Sequence, residues 1–181
     1  LEDSLAPKNE TPHLENEVKS YASEILTNLI SCFDNGDYLD SPDSTRLVKY
    51  VKSWIKDFDK IKVSMAFGIN TTAISRFGAT NSINHEIIFN MNYPQLSSLE
   101  IKNVFYLHEI LGAIGINDRW YSVTSTLWSI SQLCKPKDSN LLFSSITLTK
   151  KKEFLLYLMN IINPLIYESG TPPKSEYNHI F

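Results

Sequence analysis

At Ile61 the spacing of the apolar residues drops from three or four to two, and that switch restricts the folds open to this chain. Before it, Leu14, Val18, Tyr21, Ile25, Leu29 and Cys32 recur at the helical period. Gly36, in the run Asp34–Asp37, suits the left-handed turn that ends such a helix. Ser41-Pro42-Asp43 then starts a second helix, with Leu47, Val48, Val51, Trp54, Ile55 and Phe58 as its buried stripe. From Ile61, apolar Val63, Met65 and Phe67 alternate with Lys62, Ser64 and Ala66, the pattern of a half-buried strand. A second short strand is expected over 72–77. A third places Ile83, His85, Ile87, Phe89 and Met91 on one face.

Helical spacing returns after Pro94. Ser97 and Glu100 have the form of a capping box opening a helix that runs to about Gly115. Further helices are expected from Tyr121 to Leu133 and from Thr149 to Ile162. The last should stop near Asn163, because the residue before Pro164 resists the helical region. The order gives an α+β fold: a small, mostly antiparallel or mixed sheet over about 61–91, with helices at both ends. One domain, 13–168, would sit between a loose N-terminal arm, 1–12, and an extended C-terminal tail, 169–181.

The composition narrows the partners. With 17 basic and 20 acidic side chains the net charge is −3, which offers no footprint for nucleic acid. No apolar run is long enough to insert in a membrane, so peptide or protein partners are the remaining macromolecular class. Lys150–Lys152 reads as a solvated helix end. The start at Leu1, without a Met, reads as trimmed and favours export to a periplasm or the outside of the cell. In an oxidising compartment Cys32 and Cys134 could close one long loop; in a reducing one they would be buried thiols.

The chemistry concentrates in one stretch, LHEILGAIGINDRWY, residues 107–121. Zinc hydrolysis needs inward imidazoles, an open position for water and a carboxylate beside that water. His108 and Glu109 have the residue types for the first ligand and the base. Four residues on, where a second ligand would share the face of His108, stands Gly112. A glycine there supplies no donor and costs a helix about 1 kcal/mol relative to alanine. As a purely structural pair, His108 would pack against backbone while Glu109 faced solvent. No phosphate-binding glycine loop and no G-x-S-x-G turn offers another route.

His108-Glu109-x-x-Gly112-x-x-Gly115-x-x-Asp118 resembles the zinc motif of the metzincins, HExxHxxGxxH or its variant with a final Asp. The order of strands followed by a capped helix is similar to a zincin over residues 61–118. The resemblance implies zinc held by His108 and Asp118, with Glu109 as general base and Gly115 ending the helix. It also implies peptide pairing along the strand around His85–Asn90, with His85 beside the substrate and Tyr121 at the oxyanion. There is a fainter similarity to exported bacterial proteins with an HExxG-like helix. With Gly112 in the ligand position, the expectation is an exported zincin-like protein that is weakly active or inactive as a peptidase. The alternatives are a non-catalytic binding or structural protein of unrelated α+β fold, and an active zinc metallopeptidase.

Overall fold

The computed structural model describes residues 11–34, 41–66, 70–71, 74–75, 78–90, 99–134 and 147–168. Among the described residues it is an α+β arrangement of five α-helices and a small mixed sheet. In chain order these are α1 (Thr11–Asp34), α2 (Pro42–Asp57), β1 (Lys62–Ala66), β2 (Asn70–Thr71), β3 (Ile74–Ser75), β4 (Gly78–Asn81), β5 (Glu86–Asn90), α3 (Leu99–Ala113), α4 (Ser122–Cys134) and α5 (Leu148–Glu168). No described helix is long and apolar enough to cross a membrane. The proposed capping box at Ser97 lies outside the described residues, as does the tail 169–181.

α1 is the central packing element. Val18, Ala22, Ile25, Leu26, Leu29 and Phe33 form its buried stripe, and it packs against α2, α3, α4 and β1. Each such large side chain contributes about 1.5–3 kcal/mol when fully buried. α2 starts as its sequence implies. The Ser41 hydroxyl accepts from the Ser44 amide at 3.1 Å, and the Ser44 hydroxyl accepts from the Ser41 amide at 3.2 Å. Cys32, near the end of α1, and Cys134, the last residue of α4, form a disulfide. Lys151 is buried although its neighbours Lys150 and Lys152 are exposed. It precedes buried Leu155 by one helical turn, so its stem lies on the core face of α5.

Of the strand expected over 72–77 the described part is Ile74–Ser75, β3, which pairs antiparallel with β2. Two expectations about elements are corrected. The alternating segment 83–91 becomes a strand only from Glu86. The Asn81 side chain accepts from the amides of Ile83 at 3.0 Å and Asn84 at 3.3 Å, folding 82–85 into a turn. Ile83 is therefore exposed and His85 takes a φ of 52°. Finally, α5 continues through Pro164 to Glu168. The carbonyl opposite the missing Pro164 N–H is that of exposed Asn160, while Ile162 and Ile166, on either side of the proline, are both buried. Core burial outweighs a proline cost of about 3 kcal/mol.

The sheet order is β1-β5-β4, with β1 parallel and β4 antiparallel to β5. β5 is thus central, and the strand expected to pair with peptide has both edges occupied. On the outer side of β1, the amide of Val63 donates to Glu15 Oε2 of α1 at 3.2 Å, which blunts that edge.

Candidate functional site

α3 ends in a Schellman turn, and the turn sets the geometry of everything after it. The Ile116 amide donates to the Leu111 carbonyl at 2.9 Å, and the Gly115 amide donates to the Gly112 carbonyl at 3.0 Å. Gly115 has a φ of 88°, a conformation that glycine adopts without penalty. The carbonyl of Ala113 accepts a further bond from His85 Nδ1 at 2.9 Å. His85 is therefore tied to the end of α3, satisfying a helix-end acceptor.

The reversal after Gly115 brings Asp118 back alongside α3, where it is fully buried. Its Oδ2 accepts from His108 Nδ1 at 2.8 Å and from the Thr124 hydroxyl. Its Oδ1 accepts from the amides of Val123 at 2.7 Å and Thr124 at 3.2 Å, so the same carboxylate caps α4. Burial alone would raise the Asp118 carboxyl. The bond from His108, its charge and the two bonds from Thr124 outweigh burial and hold the group below the ordinary carboxylate range. Tyr121 lies over the His108 imidazole, ring centroids 3.9 Å apart and planes 24° from parallel.

Glu109 is buried on the β4 side of α3. A Cβ built on Gly78 would lie 3.5 Å from Glu109 Cδ and 3.2 Å from the carbonyl oxygen of Ile88. A side chain at Gly78 would crowd the β5 backbone at Ile88 and the Phe89 ring, while meeting the Glu109 carboxyl at ordinary contact distance. Burial pushes the Glu109 carboxyl up to about 7, opposed by the charge of His108 and reinforced by that of Asp118. Burial, with the charges of Glu109 and Asp118, pushes the Tyr121 phenol up to about 12. Tyr121 therefore stays protonated and can donate but not act as a base.

Four of the five candidate residues thus gather in one cluster: His108, Glu109, Asp118 and Tyr121. His85 is held apart from it at the C-terminus of α3. Thr124 belongs to the cluster and was not singled out from the sequence. Its signal is a hydroxyl residue in the first turn of a helix that follows an Asp.

A zinc ion fits this set poorly. Four donors occupy the roughly four acceptor positions of the Asp118 carboxylate. His108 and Asp118 bond to each other and do not converge on a third point. Among the described residues no group of three or more His, Cys, Asp or Glu side chains is placed to hold a metal. Catalytic zinc needs three protein ligands. What the arrangement does supply is an imidazole whose Nδ1–H is directed at a carboxylate, beside a second carboxyl that titrates near neutrality.

That second carboxyl makes a testable contribution to stability. Glu109 has its ordinary value near 4.5 when unfolded and about 7 when folded. Between those values the folded state holds more protons, so stability falls as pH rises. Its contribution is fully present below 4.5 and lost through about 7, a loss of order 3 kcal/mol. Urea unfolding of Glu109→Gln at pH 5 and pH 8 should show this fall removed and the variant more stable than wild type at pH 8. Parallel curves for the two proteins would place Glu109 in a wet site.

No family model, curated protein or solved structure matches the chain.

Proposed function

We propose that the chain is an exported, zincin-like binding protein that retains a His-Glu helix as a structural element and hydrolyses peptides weakly or not at all. The observation that carries this reading is the Asp118 carboxylate, whose oxygens are taken up by His108, Thr124 and the amides that begin α4. A residue in the position of a metal ligand is here a helix cap and an anchor for the imidazole. The strand-then-helix order and the glycine turn at Gly115 support the zincin-like likeness, and the Cys32–Cys134 disulfide supports export. An extended peptide would add to the outer edge of β4, which has no strand partner among the described residues.

Elemental analysis of the purified protein tests the reading without a substrate. Well under one zinc per chain is expected, with a thermal melt unchanged by chelator. One zinc per chain, lost in His108→Ala, would overturn it.

A working hydrolase is the second reading, favoured by one observation. The Glu109 carboxyl, at about 7, lies where a general base is most effective. That reading needs a water-activating group that the cluster itself does not provide.

A further inference from the structure

α5 turns apolar side chains outward and sets cations beside them. Phe154, Leu156 and Tyr157 are 39 %, 47 % and 59 % exposed, half of the exposed large apolar side chains among the described residues, within four consecutive positions. The Phe154 and Tyr157 rings stack on each other, centroids 6.2 Å apart and planes 12° from parallel, and form a flat aromatic ledge. Lys150 and Lys152 are exposed as well, each one helical turn before an apolar residue on its own flank, Phe154 and Leu156 respectively. Neither lysine forms an ion pair among the described residues. The first turn of α5 carries no acidic residue, and Glu153 is the one acid among the exposed residues from 149 to 157. Cations at the positive end of a helix oppose its dipole, so the arrangement is unfavourable until an anion faces it.

We propose that this face of α5 is a docking surface for an anionic phospholipid bilayer, with Lys150 and Lys152 at the headgroup phosphates and Phe154, Leu156 and Tyr157 dipping into the interface. Charge selects the sign of the partner, two cations against one acid, and breadth selects its kind. Successive helical residues turn by about 100°, which puts Phe154 and Leu156 about 160° apart around α5 with Tyr157 between them. A folded groove covers one flank of such a rod, whereas a fluid interface closes around both. Tyr157, with an apolar ring and a polar tip, is a residue type that favours the boundary between headgroups and acyl chains. Lysine stems are long enough to keep their ammonium groups at the phosphates while neighbouring apolar groups sit deeper. No described helix is long and apolar enough to cross a membrane, so α5 lies on the bilayer. The contact uses no residue of the His108 cluster.

Sedimentation of the full chain with large unilamellar vesicles tests this. Vesicles of three parts phosphatidylcholine to one part phosphatidylglycerol should bind the protein, and phosphatidylcholine alone should bind it at least about ten-fold less. Each lysine near an anionic surface is worth about five-fold in partition, so Lys150→Gln/Lys152→Gln should weaken binding about 20–30-fold. Phe154→Ser/Tyr157→Ser should weaken it about ten-fold or more through lost apolar contact. Lys56→Gln/Lys62→Gln removes the same charge from exposed positions on α2 and β1, and should stay within about two-fold of wild type. Every substituted side chain is exposed, and a cooperative thermal melt of each variant verifies the fold. Absence of sedimentation with the anionic vesicles would overturn the proposal and leave an acidic protein as the partner. So would equal binding to both vesicle types, or a loss in Lys56→Gln/Lys62→Gln as large as in Lys150→Gln/Lys152→Gln.

Discussion

Asp118→Ala is expected to lower the free energy of unfolding by about 3–5 kcal/mol, because it breaks a buried hydrogen-bond network and removes a helix cap. The loss has several parts. His108 is left buried with Nδ1 unpartnered, the Thr124 hydroxyl loses its acceptor, and α4 loses the cap on the amides of Val123 and Thr124. A lost cap alone costs about 1 kcal/mol, and an unsatisfied buried polar group about 1–3 kcal/mol. Against a total stability of about 5–15 kcal/mol this is a severe change. Asp118→Asn should cost less, since one amide oxygen still accepts while the NH₂ group faces donors. Urea denaturation of the metal-free protein measures the effect. A ligand in an open cleft would cost little stability when substituted without metal, so a loss under about 1 kcal/mol would rule out the keystone role given to Asp118.

The acid limb carries the same information with the opposite sign to Glu109. The Asp118 carboxyl is held below its ordinary 3.8, so its contribution is present above that value and is lost as pH falls through the folded value. Glu109 contributes fully only below 4.5. Taken together the two groups favour the folded state most near about pH 4–5.

Much of this architecture was legible from spacing alone, because helices report their buried face locally. The stripes of α1 and α2, the Ser41 cap and the helix-ending role of Gly115 all follow from residues within a few positions of one another. What was not legible depends on partners distant in the chain. β4 reads Gly-Ala-Thr-Asn, which has too little apolar alternation to announce a strand, and its place near Glu109 follows from its pairing with β5. The order β1-β5-β4 is equally invisible, so the strand with the clearest alternation was assigned an edge when it lies in the middle. The His108–Asp118 spacing did mark a relationship. It could not say whether the two side chains would face a common ion or each other, because that depends on the Schellman turn and the start of α4. His85 illustrates the same limit: alternation placed it on a strand face, and the Asn81 turn put it at the end of α3 instead.

Removing the Cys32–Cys134 bond should cost about 2–5 kcal/mol, lowering the melting temperature by roughly 5–20 °C. The two residues are 102 apart in sequence, and in the chain-entropy model a loop of that size is worth up to about 4.7 kcal/mol. Apolar packing between α1 and α4 already holds the two helix ends together in the folded state, so the effect lies mostly in the unfolded chain. Urea curves of the double variant Cys32→Ala/Cys134→Ala, with and without reductant, give the measurement. Reductant should bring wild type onto the variant's curve and leave the variant unmoved; superimposable oxidised and reduced wild-type curves would show that the bond contributes nothing. The same helix also connects this bond to the site. Asp118 caps the N-terminus of α4 and Cys134 anchors its C-terminus, with Val123 and Cys134 separated by eleven residues, roughly 16 Å of helix. At that distance the losses from Asp118→Ala and from reduction should add to within about 0.5 kcal/mol. A larger coupling would mean that α4 moves as one body, so that the redox state of the disulfide is felt at His108.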